Sequence, residues 1–108
     1  MKRTRTHSPC TLEAAALLGN RIRIGRRERR WTMEELAERV GIGVVTMRKI
    51  ERGDPSVGLG LAFEAAGVTG VALFHEEALP FSLERARVED RLAVLPRRVR
   101  KPVVDNDF

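Results

Sequence analysis

The side chains best suited to chemistry in this sequence are cationic, and they fall in two neighbouring segments. Six arginines lie within residues 21–30. Arg48, Lys49 and Arg52 follow at a spacing that exposes all three on one side of a short helix. Guanidinium and ammonium groups donate hydrogen bonds to phosphate oxygens and to the O6 and N7 atoms of guanine. The two segments therefore favour a polyanionic partner.

The distribution of charge supports this interpretation more than the total of +5 does. Residues 1–53 contain 13 basic and 6 acidic side chains, residues 54–96 contain 3 and 7, and residues 97–108 contain 4 and 2. A polyanion would bind the basic first half. A positive charge is also compatible with arginines that are only solvated. Whether it indicates a polyanion-binding site therefore depends on which helices carry the arginines.

Residue types that support catalysis or metal binding are scarce. Cys10 is the single cysteine, so it is either an inert thiol or a cross-link between two subunits. The two histidines, His7 and His75, are not at a spacing that binds a metal ion. Glu76 and Glu77 beside His75 indicate a solvated loop. No glycine-rich phosphate loop precedes a helix. We predict no enzyme, no metal and no cofactor; four Phe, one Trp and no Tyr also disfavour RNA stacking.

Length and hydropathy predict one compact domain with an appended tail. The 108 residues are 43% hydrophobic, which is enough for a single core. The sequence contains no apolar run of about 18 residues, and no hydrophobic segment follows the basic N-terminal residues. We therefore expect no membrane association and a cytoplasmic location.

The elements that must position the cationic side chains are helices. Ser8 with Pro9, or Thr11, can begin a first helix, and Trp31 is predicted to close it and to pack as a lid on the core. The apolar positions of this helix follow helical spacing at Leu12, Ala15, Leu18 and Ile22.

Two short helices joined by a tight turn are predicted next. Thr32 followed by Glu35 forms a capping box, which begins a second helix over residues 33–40. A glycine-containing turn separates it from a third helix over residues 44–52. Gly53 ends the third helix through a left-handed backbone conformation.

Two further helices complete the prediction. A fourth covers residues 59–69. Ser82 can cap a fifth from residue 83 to about residue 95, which Pro96 ends. One face of this last helix is apolar, with Val88, Leu92 and Leu95. The predicted fold is all-α.

A helical wheel of the third helix separates two faces. The side chains predicted to point inward are Met47, Ile50 and Glu51. Those predicted to point outward are Val44, Val45, Arg48, Lys49 and Arg52. The outward set should face the major groove of DNA, because an α-helix fits that groove.

The pair of helices resembles the lambda-repressor-like, XRE-type helix-turn-helix family. The stretch WTMEELAERVGIGVVTMRKIERG matches the pattern of the family, with Ala37 small where the helices cross and Gly41 in the turn. The resemblance covers about residues 17–74. It implies a helix-turn-helix bundle of about five helices with a C-terminal extension, and it implies binding to double-stranded DNA.

The resemblance also implies roles for individual residues. Arg26 and Glu51 correspond to a buried ion pair between the first helix and the recognition helix; a solvated Arg26 is the alternative. Five residues fall on base-reading positions: Gly43, Val44, Val45, Arg48 and Lys49. Three fall where the DNA backbone is approached: Thr32, Met33 and Thr46. Arg52 completes the expected DNA-binding set.

This sequence departs from the family pattern at three of these positions. Met33 stands where many members carry a glutamine that anchors DNA, and Val44 and Val45 stand where polar readers are usual. The substitutions reduce hydrogen-bonding capacity. They leave open an alternative in which the valines pack against neighbouring helices and the motif is a protein-binding scaffold.

The expected organisation therefore has four parts: a flexible N-terminus over residues 1–10, a helix-turn-helix domain over 11–75, a dimerisation helix over 76–96 and a basic-then-acidic tail over 97–108. The function expected is sequence-specific transcriptional regulation by an autoregulating repressor that binds as a homodimer. An antitoxin of the HipB type, which neutralises a partner toxin and binds DNA secondarily, is the alternative. The tail could contact phosphates, or residues 99–104 could pair between subunits.

Overall fold

The computed structural model of the chain describes residues 6–74 and 80–102. These residues form α-helices and no strand, which confirms the all-α prediction. The chain divides into two compact units, residues 1–76 and residues 77–108. In order, the helices are α1 (Pro9–Glu28), α2 (Met33–Val40), α3 (Val44–Arg52), α4 (Leu59–Val68) and α5 (Phe81–Ala93).

Helix α1 begins at the first of its two predicted starts, Ser8 with Pro9, and ends earlier than predicted. Ser8 caps the helix by accepting a hydrogen bond from the Thr11 amide at 3.3 Å. Pro9 is the first helical residue, so residues 9 and 10 are helical and not part of a loose N-terminus. The prediction that Trp31 closes this helix is wrong. The helix ends at Glu28, because Arg30 adopts a left-handed φ of 58° that turns the chain away from the helix axis.

Helices α2 and α3 have the predicted bounds. Both halves of the capping box are present: the Thr32 hydroxyl accepts from the Glu35 amide, and the Glu35 carboxylate accepts from the Thr32 amide, each at 3.1 Å. Gly41 and Gly53 end the two helices with φ values of 83° and 79°. Since other residues pay a steric cost at such φ values, these two positions explain why the turns form here.

The core of the first unit lies where α1, α2, α3 and α4 meet. Its fully apolar members are Ile22, Leu36, Ala37, Met47, Ile50, Ala65 and Ala66. Gly19 of α1 is buried against α3, and a Cβ added to it would lie 2.5 Å from the Glu51 carbonyl oxygen. The absence of a side chain at residue 19 therefore lets α1 and the recognition helix approach closely.

The second unit contains α5. This helix begins at Phe81 instead of Leu83, and Pro80 replaces Ser82 as its N-cap. The Pro80 carbonyl accepts from the amides of Leu83 and Glu84 at 3.0 and 3.1 Å, which starts the helix two residues early. The helix ends at Ala93, and none of its residues is buried. Residues 97–102 form no strand, and Val103 and Val104 of the expected pairing segment lie outside the described residues.

Candidate nucleic-acid interface

A buried carboxylate fixes the recognition helix α3 to α1. The Glu51 side chain is fully buried. Arg26 Nε donates to Glu51 Oε2 at 2.6 Å, and Arg26 Nη2 donates to Glu51 Oε1 at 3.0 Å. Hydrogen bonding to Glu51 raises the pKa of Arg26 above its ordinary value. The structure thus brings together the two residues for which the sequence predicts an ion pair, in the two-pronged geometry that favours arginine over lysine.

Arg23 is a second cation at the same carboxylate, which the sequence analysis missed. Its Nε lies 3.4 Å from Glu51 Oε1, and its Nη2 donates to the Glu51 main-chain carbonyl at 3.3 Å. That carbonyl belongs to the last turn of α3, whose final carbonyls have no partner within the helix. Arg23 precedes Arg26 by three residues on α1, a spacing that puts both on one face. This spacing was the available signal.

The connection between α1 and α2 is tied to the same cluster. Arg26 Nη1 donates to the Trp31 carbonyl at 3.0 Å. The Trp31 ring packs against the core, and the Arg39 guanidinium lies over it, 4.1 Å from the ring centre. A guanidinium at this distance from an indole face is attracted by the ring's negative charge density. Arg26 and Trp31 therefore hold the start of α2 in place.

The exposed face of α3 is close to the predicted one. Val45 is 60% exposed, and Arg48, Lys49 and Arg52 are exposed as well. The prediction that Val44 points outward is wrong: this side chain is half-buried and packs against the core. The cause is the tight turn, which folds the first residue of α3 back toward the core together with Ile42.

The remaining predicted residues lie at the two helix starts. Gly43 is the exposed N-cap of α3, and Thr46 is half-buried. Thr32 is the exposed N-cap of α2, but its hydroxyl and amide are engaged with Glu35. Met33 is half-buried against the core.

The two helix starts differ in charge. The first turn of α2 contains the acidic residues Glu34 and Glu35, whereas that of α3 contains no acidic residue and has no side-chain cap. A helix N-terminus attracts anions, and carboxylates in its first turn oppose them. The start of α3 is therefore the more favourable one for a phosphate.

A local turn fixes the chain after α3. Asp54 Oδ1 accepts from the Ser56 hydroxyl at 2.6 Å and from the Ser56 amide at 2.9 Å. These hydrogen bonds lower the pKa of Asp54, so its carboxylate stays ionised. Arg52 Nη2 lies 3.8 Å from Asp54 Oδ2. Arg52 is thus held near the end of the helix, while Arg48 and Lys49 are in no ion pair among residues 6–74.

Two helices joined by a tight turn, the second presenting an exposed cationic face, define a helix-turn-helix of the DNA-binding class. The comparison with protein families agrees. Residues 22–74 match the family model described as Helix-turn-helix. This part of the chain belongs to the XRE-type, lambda-repressor-like helix-turn-helix family. The chain matches no curated protein and no solved structure at a significant level.

Residues 6–74 and 80–102 contain no candidate membrane span and no candidate metal site. None of the helices there is long and apolar enough to cross a membrane. No group of three or more His, Cys, Asp or Glu side chains among them is arranged to hold a metal ion.

Proposed function

We propose that this protein is a transcriptional repressor that binds an inverted repeat in duplex DNA, including one at its own promoter, as a homodimer. The observation that carries the proposal is the exposed face of α3, where Val45, Arg48 and Lys49 protrude from a helix anchored by a buried ion pair. An anchored helix limits the orientations in which a protruding side chain can meet a base edge, and such preorganisation favours specific binding.

The roles of these residues follow from their exposure together with their position in the helix-turn-helix. Val45, Arg48 and Lys49 read bases, and Gly43 allows the DNA to approach the start of α3 closely. Thr46, Arg52 and Thr32 lie where sugar and phosphate groups are approached, and contacts of this kind set the position of the helix in the groove. Val44 and Met33, which pack against the core, support the interface instead of reading it.

A second copy of the chain is the proposed partner of α5. Val88 and Leu92 on α5, and Leu95 beyond it, are 50%, 62% and 59% exposed, which is a large exposed fraction for an apolar stripe. Packing the stripes of two twofold-related copies against each other would remove these apolar side chains from water. Twofold symmetry also gives two recognition helices for an inverted repeat.

The first expected result is specific binding to a duplex spanning the protein's own promoter. In gel-shift and footprinting experiments at about 0.15 M salt, the full chain should protect an inverted repeat and prefer it to random DNA. Each neutralised phosphate should add about 0.9 to the negative slope of log affinity against log salt. Equal affinity for the promoter and random DNA would contradict the repressor proposal and favour the protein-binding scaffold.

The second expected result concerns the oligomeric state. Leu92→Glu in the full chain should convert the dimer to a monomer in light scattering, because it buries a charge in the proposed interface. Leu83→Glu is the matched control: Leu83 is on the same helix and 43% exposed, but it lies about half a turn around the helix from Leu92. This variant should remain dimeric. A monomeric unmodified chain, or a dimeric Leu92→Glu variant, would contradict the proposed interface.

A further inference from the structure

The exposed face of α3 contains only two kinds of fully exposed side chain, aliphatic and cationic. Its fully exposed side chains are one aliphatic group, Val45, and three cations, Arg48, Lys49 and Arg52. The single carboxylate of the helix, Glu51, is buried and paired with arginine. The helix has no asparagine or glutamine. Apart from the half-buried Thr46 hydroxyl, its exposed face therefore offers hydrogen-bond donors and a branched methyl surface, and no side-chain acceptor.

Each base presents a different set of groups in the major groove. Guanine presents the acceptors O6 and N7, which arginine or lysine satisfies, and thymine presents a C5 methyl group, which an apolar side chain contacts. Adenine is read best by the paired donor and acceptor of an amide, and cytosine by a carboxylate. A face made of donors and methyl groups thus suits guanine and thymine best, because its fully exposed side chains offer no acceptor to the amino groups of adenine and cytosine.

The spacing of the readers limits how far apart these bases lie. Val45 and Arg48 are three residues apart, so their side chains are neighbours on one face, about 5–6 Å apart at Cβ. Successive base pairs of B-DNA are stacked about 3.4 Å apart. Two neighbouring side chains on a helix in the groove therefore meet bases separated by one or two steps.

The ion pairs distinguish Arg48 from Arg52. Arg52 is held toward Asp54 at the end of α3, at 3.8 Å. Neither Arg48 nor Lys49 is in an ion pair within residues 6–74. Arg48 can therefore donate to a base edge without first leaving a carboxylate, and Lys49 can do so one position further along the helix.

We infer, given the proposed function, that each half-site of the operator presents a thymine methyl group to Val45 and a guanine O6/N7 edge to Arg48, one or two base-pair steps apart. Lys49 provides a second donor for a guanine beside them. Two atomic groups of each half-site can then be tested separately: the C5 methyl of the thymine that faces Val45 and the N7 of the guanine that faces Arg48.

Base analogues test each group separately. The operator is first selected from random duplexes with the full-length protein, and two analogues are then placed in it one position at a time. Deoxyuridine removes only the thymine methyl, and 7-deazaguanine removes N7. We expect deoxyuridine at one position to weaken binding about three- to fivefold, as for the loss of one buried methyl group. We expect 7-deazaguanine at a neighbouring position to weaken it about fivefold or more.

Protein variants assign each loss to a residue. Val45→Ala should bind the thymine and deoxyuridine operators equally, and Arg48→Ala should bind the guanine and 7-deazaguanine operators equally. Leu17→Ala is the matched control, since Leu17 is a 53% exposed aliphatic residue on α1, and it should keep both sensitivities. Circular dichroism should show that all three variants fold.

The outcomes separate the inference from the function on which it rests. A selected operator that tolerates deoxyuridine and 7-deazaguanine at every position overturns the inference but leaves specific DNA binding intact. Analogue sensitivities that survive in Val45→Ala and Arg48→Ala also overturn it. A selection that yields no preferred sequence overturns the proposed function and this inference together.

Discussion

Glu51→Ala is expected to lower the free energy of unfolding by about 3–5 kcal/mol, because it removes one partner of a buried ion pair. The carboxylate is fully buried and accepts from both Arg26 and Arg23. Its loss strands the Arg26 guanidinium, whose side chain is 11% exposed, without its counter-charge. Urea denaturation followed by circular dichroism measures the change through the shift in midpoint.

The neighbouring residue offers a matched control for this prediction. Arg52→Ala removes an ion pair with Asp54 from the same helix, but that pair spans 3.8 Å and the arginine side chain is 64% exposed. Its removal should change the free energy of unfolding by less than about 1 kcal/mol. A double-mutant cycle with Arg26→Ala should show strong coupling to Glu51. An unchanged midpoint in Glu51→Ala would contradict the buried pair.

The sequence predicts α2 and α3 accurately because their boundaries depend on local signals. The Thr32–Glu35 capping box satisfies amides at the start of α2, and Gly41 and Gly53 adopt left-handed conformations at the two ends. Each of these features is decided within four residues of the boundary. The start of α5 was misplaced because serine is the common N-cap, whereas Pro80 takes that position here.

The candidate interface was less predictable wherever it depends on contacts distant in sequence. A helical wheel treats α3 as an isolated cylinder, so it places Val44 outward, whereas the turn folds this residue back against the core. Arg23 contacts Glu51 across 28 residues. Its three-residue spacing from Arg26 places both on one face of α1, but this spacing does not by itself show that both reach the same carboxylate. The pairing of Arg26 with Glu51 was expected because the resemblance carries information about distant contacts that periodicity lacks.

The close approach of α1 to the recognition helix leads to the last prediction. Alanine is a better helix former than glycine by about 1 kcal/mol, so Gly19→Ala in the middle of α1 would stabilise an isolated helix. In the folded chain, the new Cβ would lie 2.5 Å from the Glu51 carbonyl oxygen and 2.7 Å from that of Ile50. These are main-chain atoms, so relief requires one helix to move away from the other.

We therefore expect Gly19→Ala to lower the free energy of unfolding by about 1–3 kcal/mol, the usual cost of overpacking. Because the same displacement pulls Arg26 away from Glu51, the affinity for the operator should fall as well. Gly67→Ala on α4 is the control: no atom outside the adjoining backbone of α4 lies within 4 Å of its added Cβ, and residue 67 is exposed. It should raise the free energy of unfolding by about 0.5–1 kcal/mol. Urea midpoints that rise in both variants would show that α1 and α3 are not closely packed at residue 19.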